Sequence, residues 1–382
     1  MNAPVNHNVL NYAISDINWK RKLQDSIQNL EQLIHFFGKR NIENSPFSYI
    51  LKENYRTLFL KIHQNFRFKV TTYYLSLANI NDPHCPILLQ ILPNEREIND
   101  SYFKEKDPLK EEENSPIPGL VHRYPDRVLW YLSHHCAVYC RFCMRKRKVS
   151  KPDFSSLRKD ILSKIEYIKN HKELKEVILS GGDPLSIDDH YLDFILFQLK
   201  NIPHLYSIRI HTRMPVTFPY RITNELCKIL EKYYPLTIVT HFNHPVELTD
   251  IVYEKIKLLR KSGVLVLNQT VLLNNINDNC LVLEELFLKL IRFGIKPYYL
   301  HHCDEVYGTS HFRVPLKKGM EIIKELQGKN PGIILPKYVV DLPEGGGKVP
   351  IMPQYIKEYN PITKEYFFYN YQFKKIYKIK EI

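Results

Sequence analysis

The sequence contains no apolar run approaching the ~20 residues a helix needs to cross a bilayer, so no membrane association is expected. Its opening, MNAPVNHNVLNYAISD, has neither the basic start nor the apolar core of a secretory signal. The cysteine count is seven, an odd number. Without a secretory signal, that count argues against a disulfide framework and for a reducing, cytoplasmic setting. Internal repeats, low-complexity tracts and long blocks of one charge are also missing. The formal net charge of +13 comes from lysines scattered along the chain. A scattered basic excess speaks to solubility and nonspecific contacts more than to a nucleic-acid partner, which is not expected.

What is present is an ordinary globular balance, 44% hydrophobic and 25% charged, in a chain long enough for one large α/β domain with appendages or for two domains. Residues 1–120 read as a helical N-terminal region; Ile17, Leu23, Ile27, Leu30 and Leu33 give the span Asp16–Phe37 helical spacing. The acidic, proline-containing segment Asp107–Pro118 is the expected boundary. Beyond it, short apolar runs recur at Val128–Leu132, Val177–Leu179, Ser207–Ile210, Leu236–Val239, Val264–Leu267 and Pro297–Leu300. Stretches with helical periodicity, such as Leu157–Asn170 and Leu226–Tyr234, lie between them. Roughly six β-then-α units predict a parallel sheet, open or curled into a barrel, over residues 121–332. Chemistry then belongs at the C-terminal ends of the strands. Residues 333–382 form a third segment, with strand-like runs at Ile333–Leu335 and Tyr338–Val340, a glycine-rich turn and a basic, aromatic tail.

Three of the seven cysteines, Cys136, Cys140 and Cys143, crowd into the stretch after the first run, CAVYCRFC. Three thiolates on a short loop can ligate three irons of a cubane cluster and leave the fourth iron open to a substrate. A zinc site is the alternative, with His134 or His135 as fourth ligand. Cys85, Cys227, Cys280 and Cys303 read as core thiols. After the second run comes Ser180–Gly181–Gly182–Asp183, whose glycines would let backbone approach a ligand closely.

The cysteine spacing, with Phe142 before the third thiol, resembles the radical S-adenosylmethionine superfamily. In that superfamily a glycine-glycine-acidic element holds the methionine amino group of the cofactor, a role the resemblance gives to Ser180, Gly181, Gly182 and Asp183. The likeness extends to one family. Asp107–Leu120, HRYPDR (122–127), Cys136–Arg147, THFNHP (240–245), NQTVLL (268–273), HFRVP (311–315) and DLPEGGGKVPIMP (341–353) are similar to lysine 2,3-aminomutase over about residues 16–355. The resemblance implies a partial (β/α)6 TIM-like barrel of the radical SAM type, an α/β fold, with a helical N-terminal extension and a C-terminal segment that binds pyridoxal phosphate. It implies a [4Fe–4S] cluster on Cys136, Cys140 and Cys143, S-adenosylmethionine as source of a 5′-deoxyadenosyl radical, and pyridoxal 5′-phosphate in Schiff-base linkage to Lys348. Arg123 and Arg127 would bind the cofactor phosphate, with Tyr124 lining the same site, and His241 and Gln269 would face the adenosyl group. Arg145 would take the substrate carboxylate, and Asp304 and Asp341 the side-chain ammonium of lysine, a clamp that an acidic substrate could not use.

Two departures from the family pattern stand out. Glu344 occupies a position that is glycine in the family. No cysteine follows Cys303, and the internal zinc position of the best-known members looks like Asn279 beside Cys280; no structural zinc is therefore expected. The implied reaction moves the amino group of L-lysine from C2 to C3 to give β-lysine. It needs a one-electron reductant such as flavodoxin or ferredoxin, and it is compatible with a homo-oligomer. The β-lysine could be free or serve modification of elongation factor P. A radical enzyme acting on another amino acid or on RNA, and a basic-aromatic nucleic-acid-binding protein, are the alternatives from other classes.

Overall fold

The computed structural model describes residues 19–151 and 158–381. Nine strands lie side by side in chain order: β1 (Leu120–Tyr124), β2 (Arg127–Ser133), β3 (Glu176–Gly181), β4 (Ser207–His211), β5 (Thr237–Thr240), β6 (Leu265–Leu272), β7 (Lys296–His302), β8 (Lys337–Leu342) and β9 (Gly347–Pro350). Strands β2 to β8 run parallel, while β1 and β9 pair antiparallel at the two ends. A helix follows each of β2 to β7, namely Arg158–Asn170, Asp189–Lys200, Asn224–Lys232, Asp250–Lys261, Cys280–Arg292 and Leu316–Lys329. This is the expected barrel, with β8 as one further parallel strand.

The local chemistry explains the alternation. Thr223, Thr249 and Asn279 each start a helix by accepting a hydrogen bond from the backbone N–H of Leu226, Val252 and Val282, respectively. The helices then bury stripes such as Leu226/Leu230, Val252/Ile256/Leu259 and Leu283/Leu286/Leu290 against the sheet. Val177, Leu179, Ile210 and Ile238 are fully buried on the strands, and each such side chain contributes roughly 1.5–3 kcal/mol.

The N-terminal helices share this interior: one hydrophobic cluster runs from Trp19 and Leu33 through Ile87 and Leu179 to Tyr338. The expected single helix over Asp16–Phe37 is interrupted, and residues 16–18 lie outside the described residues. Helix Trp19–Gln24 stops, Ile27 forms a two-hydrogen-bond bridge to Val70 (2.8 and 2.9 Å), and Asn29 caps a new helix, Leu30–Phe37. Ile27 is buried by this pairing, so its apparent place on a helical stripe was met by a strand-like contact instead. The run Ile333–Leu335 is not a strand; residues Gly332–Ile334 form a single 3-10 turn after Pro331. The Asp107–Pro118 segment is a series of turns in which Leu109 and Glu111 are buried.

The aromatic tail folds into a separate antiparallel sheet, β10 (Ile356–Asn360), β11 (Glu365–Tyr369) and β12 (Ile376–Lys380). Among the described residues no helix is long and apolar enough to cross a membrane.

Candidate active site

Cys136, Cys140 and Cys143 sit on the loop that leaves the C-terminal end of β2. That loop is pinned from two sides. From the barrel, the Gly182 N–H donates to Ser133 O (2.6 Å) and the Asp183 N–H to His135 O (2.8 Å). A Cβ on Gly182 would stand 2.6 Å from His135 O, and one on Gly181 would stand 2.6 Å from Ser133 O, so only glycine permits this approach. From the N-terminal region, Lys69 O accepts from the Tyr139 N–H (3.0 Å) and Gln90 O from the Arg141 N–H (2.9 Å). The Arg141 guanidinium, fully buried, pairs with Glu97 at 2.5 Å.

The thiols fit a cluster. Burial, then the charges of Asp183 and the neighbouring thiols, pushes Cys136 well above the ordinary thiol value; burial and Cys140 push Cys143 up to about 11. Thiolates disfavoured in this way need a strong cationic partner to form, and iron supplies one. Among the described residues, no three His, Cys, Asp or Glu side chains converge on a position for a single ion. Each thiol feels the charge of its neighbours, so the three lie close enough together to serve one cluster.

Next to the loop, the Asp183 carboxylate is fully engaged by the Thr212 hydroxyl (2.7 Å) and by the backbone N–H groups of Arg213 (2.7 Å) and Leu185 (3.0 Å). It braces the end of β3 against the end of β4; burial pushes its carboxyl up to about 6. His241, just past β5, packs edge-on against Phe142 with ring centres 5.7 Å apart, and its buried Nε2 has no hydrogen-bond partner among the described residues. Gln269 lies on β6 two residues before Val271, which packs against the small cluster that contains Phe142, Cys303 and Phe312.

A second group gathers at the β8–β9 edge. Asp341 and Lys348 are directly opposite in the antiparallel register, and their side chains form an ion pair. His301 Nδ1 lies 3.2 Å from Lys348 Nζ, and Arg123 reaches Asp341 at 3.3 Å. The Tyr124 hydroxyl accepts from the Lys348 N–H (2.8 Å) and from Arg123 (3.0 Å), and the Arg127 guanidinium lies 4.6 Å from the Tyr124 ring centre. The turn that presents Lys348 is left-handed at Glu344 (φ 54°), Gly345 (78°) and Gly347 (86°), a conformation that glycine takes freely and that Glu344 takes at some cost. Burial alone would raise the Asp341 carboxyl, but His301 and Lys348 outweigh it and hold the group well below the usual range. Burial and the Lys348 charge bring His301 down to about 4, so its imidazole is neutral.

Between these groups stand Arg145 and Asp304. Arg145 donates through Nε and Nη2 to Glu111 (3.2 and 2.8 Å) and through Nη1 to Ser180 Oγ (3.3 Å). Glu111 is also held by Tyr131 and Arg147. Asp304 follows β7 and has no cation within ion-pair distance among the described residues. Burial, then the charge of Asp341, pushes its carboxyl up to about 7, while Lys348 and Arg145 pull the other way. Asp304 therefore feels both Arg145 on the cluster side and Lys348 on the far side. Arg145 thus links the Cys-loop side, through Ser180, to the electrostatic surroundings of Asp304, and Asp304 in turn feels the Asp341–Lys348 pair. Glu111, Arg213, His301 and His211, whose buried Nε2 has no partner among the described residues, were not anticipated.

A sequence profile of the radical SAM superfamily matches residues 130–286. The chain is a radical S-adenosylmethionine enzyme, with the [4Fe–4S] cluster and S-adenosylmethionine that this class carries. A second profile, described as lysine-2,3-aminomutase, matches residues 323–364. L-lysine 2,3-aminomutase of Methanococcus maripaludis is 43% identical over 343 residues, covering 89% of this chain and 77% of that one. The enzyme of Clostridium subterminale is 40% identical, covering 88% and 78%. The glutamate 2,3-aminomutase of Clostridioides difficile is also 40% identical, covering 78% and 70%. The chain belongs to the lysine 2,3-aminomutase family and is an isomerase.

Proposed function

We propose that the protein moves the α-amino group of L-lysine to the β-carbon, giving β-lysine, with pyridoxal phosphate carried on Lys348. Lysine and glutamate relatives are similarly distant, so overall identity does not choose the substrate. The acidic pair supports lysine: an incoming ammonium favours the ionised form of Asp304, whereas a glutamate side chain would bring a further carboxylate to a group that burial and the Asp341 charge already disfavour as an anion. That pair is the observation that carries the reading.

The cofactor fits the residues present. Lys348 is a primary amine that Asp341 and the neutral His301 imidazole hold in place from two sides, the kind of fixed amine from which a Schiff base is made. Arg123 and Arg127 stand around Tyr124 with guanidinium groups suited to a phosphate dianion. When bound, the cluster with S-adenosylmethionine supplies a carbon radical, and pyridoxal phosphate supplies the π-system through which nitrogen migrates. The chain's own part is positioning. Arg145 offers its remaining N–H groups to the substrate carboxylate, its Nε–Nη2 edge being held by Glu111. Asp304 takes the ammonium, and the Cys loop closes the other wall against water.

The test is anaerobic reconstitution with iron, sulfide and pyridoxal phosphate, followed by parallel assays on L-lysine and L-glutamate with S-adenosylmethionine and reductant. β-Lysine from lysine and no product from glutamate is expected; β-glutamate as the main product would overturn the substrate assignment. Lys348→Ala should lose the visible absorbance of bound pyridoxal phosphate and keep the cluster spectrum.

A further inference from the structure

Arg213 lies just past β4, is buried, and has no role in the reading above. Its Nη1 donates to Cys140 Sγ at 2.7 Å. The rest of the guanidinium is fixed by groups outside the Cys loop: Nε by His241 O (3.1 Å), and Nη2 by Gln90 Oε1 (2.6 Å), Glu247 Oε1 (2.9 Å) and the Tyr74 hydroxyl (3.1 Å). Those acceptors are themselves held. Glu247, fully buried, also accepts from Tyr74 (2.6 Å), Gln90 (3.2 Å) and the Asn243 N–H (2.6 Å). The direction of Nη1 is therefore set without help from the thiol, by a network joining the N-terminal helices to the ends of β4 and β5. The guanidinium carbon also stands 5.4 Å from the ring of Phe142, which precedes the third cysteine.

We propose that Arg213 is a positioning residue for the cluster, and that Arg213 and Glu247 together set its reduction potential. A guanidinium is charged at every working pH. A hydrogen bond and a positive charge at a cluster sulfur stabilise the reduced cluster, which carries one more electron. Glu247 opposes this by placing a buried negative charge on the same guanidinium. The two residues should thus move the potential in opposite directions. The inference rests on Cys140 being a cluster ligand.

The experiment is a redox titration of reconstituted holoenzyme without S-adenosylmethionine, following the electron-paramagnetic signal of the reduced cluster. Arg213→Gln is expected to shift the midpoint to more negative values, and Arg213→Lys, which keeps charge but not the fork of donors, to a smaller shift in the same direction. Glu247→Gln, isosteric and still an acceptor for Arg213, is expected to shift it to less negative values. This last variant decides the matter if Arg213→Gln does not retain its cluster. An unshifted midpoint in Glu247→Gln, or a shift in the negative direction, overturns the proposal. Failure of the ligand assignment looks different: Cys140→Ala would then keep full iron and sulfide content.

Discussion

Asp304 and Asp341 shift in opposite directions, because Asp341 has a cation in ion-pair contact and Asp304, among the described residues, does not. A carboxyl raised from 3.8 to about 7 is protonated in the folded protein where it would be ionised in the unfolded chain. Its contribution to stability is full below the ordinary value and is lost as pH rises through about 7. Lysine, by bringing an ammonium, favours the carboxylate. Lysine binding should therefore strengthen as pH rises through about 7 and release a proton. Calorimetry in two buffers of different ionisation enthalpy reads this directly, and an identical heat in both would contradict it. Asp304→Asn should raise KM for lysine about 10–100-fold, as expected for a lost charge-assisted contact, with the cofactor absorbance intact. Residues of this kind were legible when their chemistry is local: the three thiols, the glycine pair and the lysine after its glycines are read from neighbours in sequence. Glu111, Arg213 and His301 were not, since each meets its partner across 34, 73 and 47 residues, and an isolated Glu, Arg or His carries no sign of that.

Among the elements, the Cys loop depends most on its supports. Gly182→Ala would force a Cβ into the backbone at His134–His135. It should cost about 1–3 kcal/mol, as overpacking does, and lower cluster occupancy, measured as iron per chain; wild-type occupancy and urea midpoint would contradict the close-approach account. Glu97 ties the loop to the N-terminal region through buried Arg141 and through Lys146. Burial alone would raise its carboxyl, but the two cations outweigh this and hold it at about 2. Its stabilisation is present above the ordinary value of 4.5 and lost as pH falls towards about 2. Glu97→Gln leaves Arg141 buried without its counter-charge and should cost about 3–5 kcal/mol in urea unfolding at neutral pH, a difference that shrinks in acid. The six β-then-α units were legible because β-branched runs and helical stripes alternate cleanly. The break at Ile27 was not, because pairing with Val70 is a tertiary contact that overrides a helical pattern. Nor was the tail sheet: EYFFY in β11 has no polar–apolar alternation to mark a strand.

At the scale of the molecule, the barrel and its N-terminal helices share one core, and the sheet β10–β12 stands outside it. Its ties to the rest include a Tyr355–Gln327 hydrogen bond (3.1 Å) and Lys324 over the Phe373 ring (3.8 Å). Ending the chain after Gln354 should leave Tm within about 2 °C of the full protein, as expected when few core contacts are lost, and should leave lysine turnover in place. A collapse of either would assign the sheet to the functional unit. The whole arrangement, a cluster wall on one side and a lysine–aspartate edge on the other, has one central claim: nitrogen moves between adjacent carbons of lysine. The direct measurement uses L-lysine carrying nitrogen-15 at its α-amino group and carbon-13 at its β-carbon, turned over anaerobically and followed by carbon NMR. Migration predicts a β-carbon signal newly split by the bonded nitrogen. Formation of methionine and 5′-deoxyadenosine with no such splitting would contradict it.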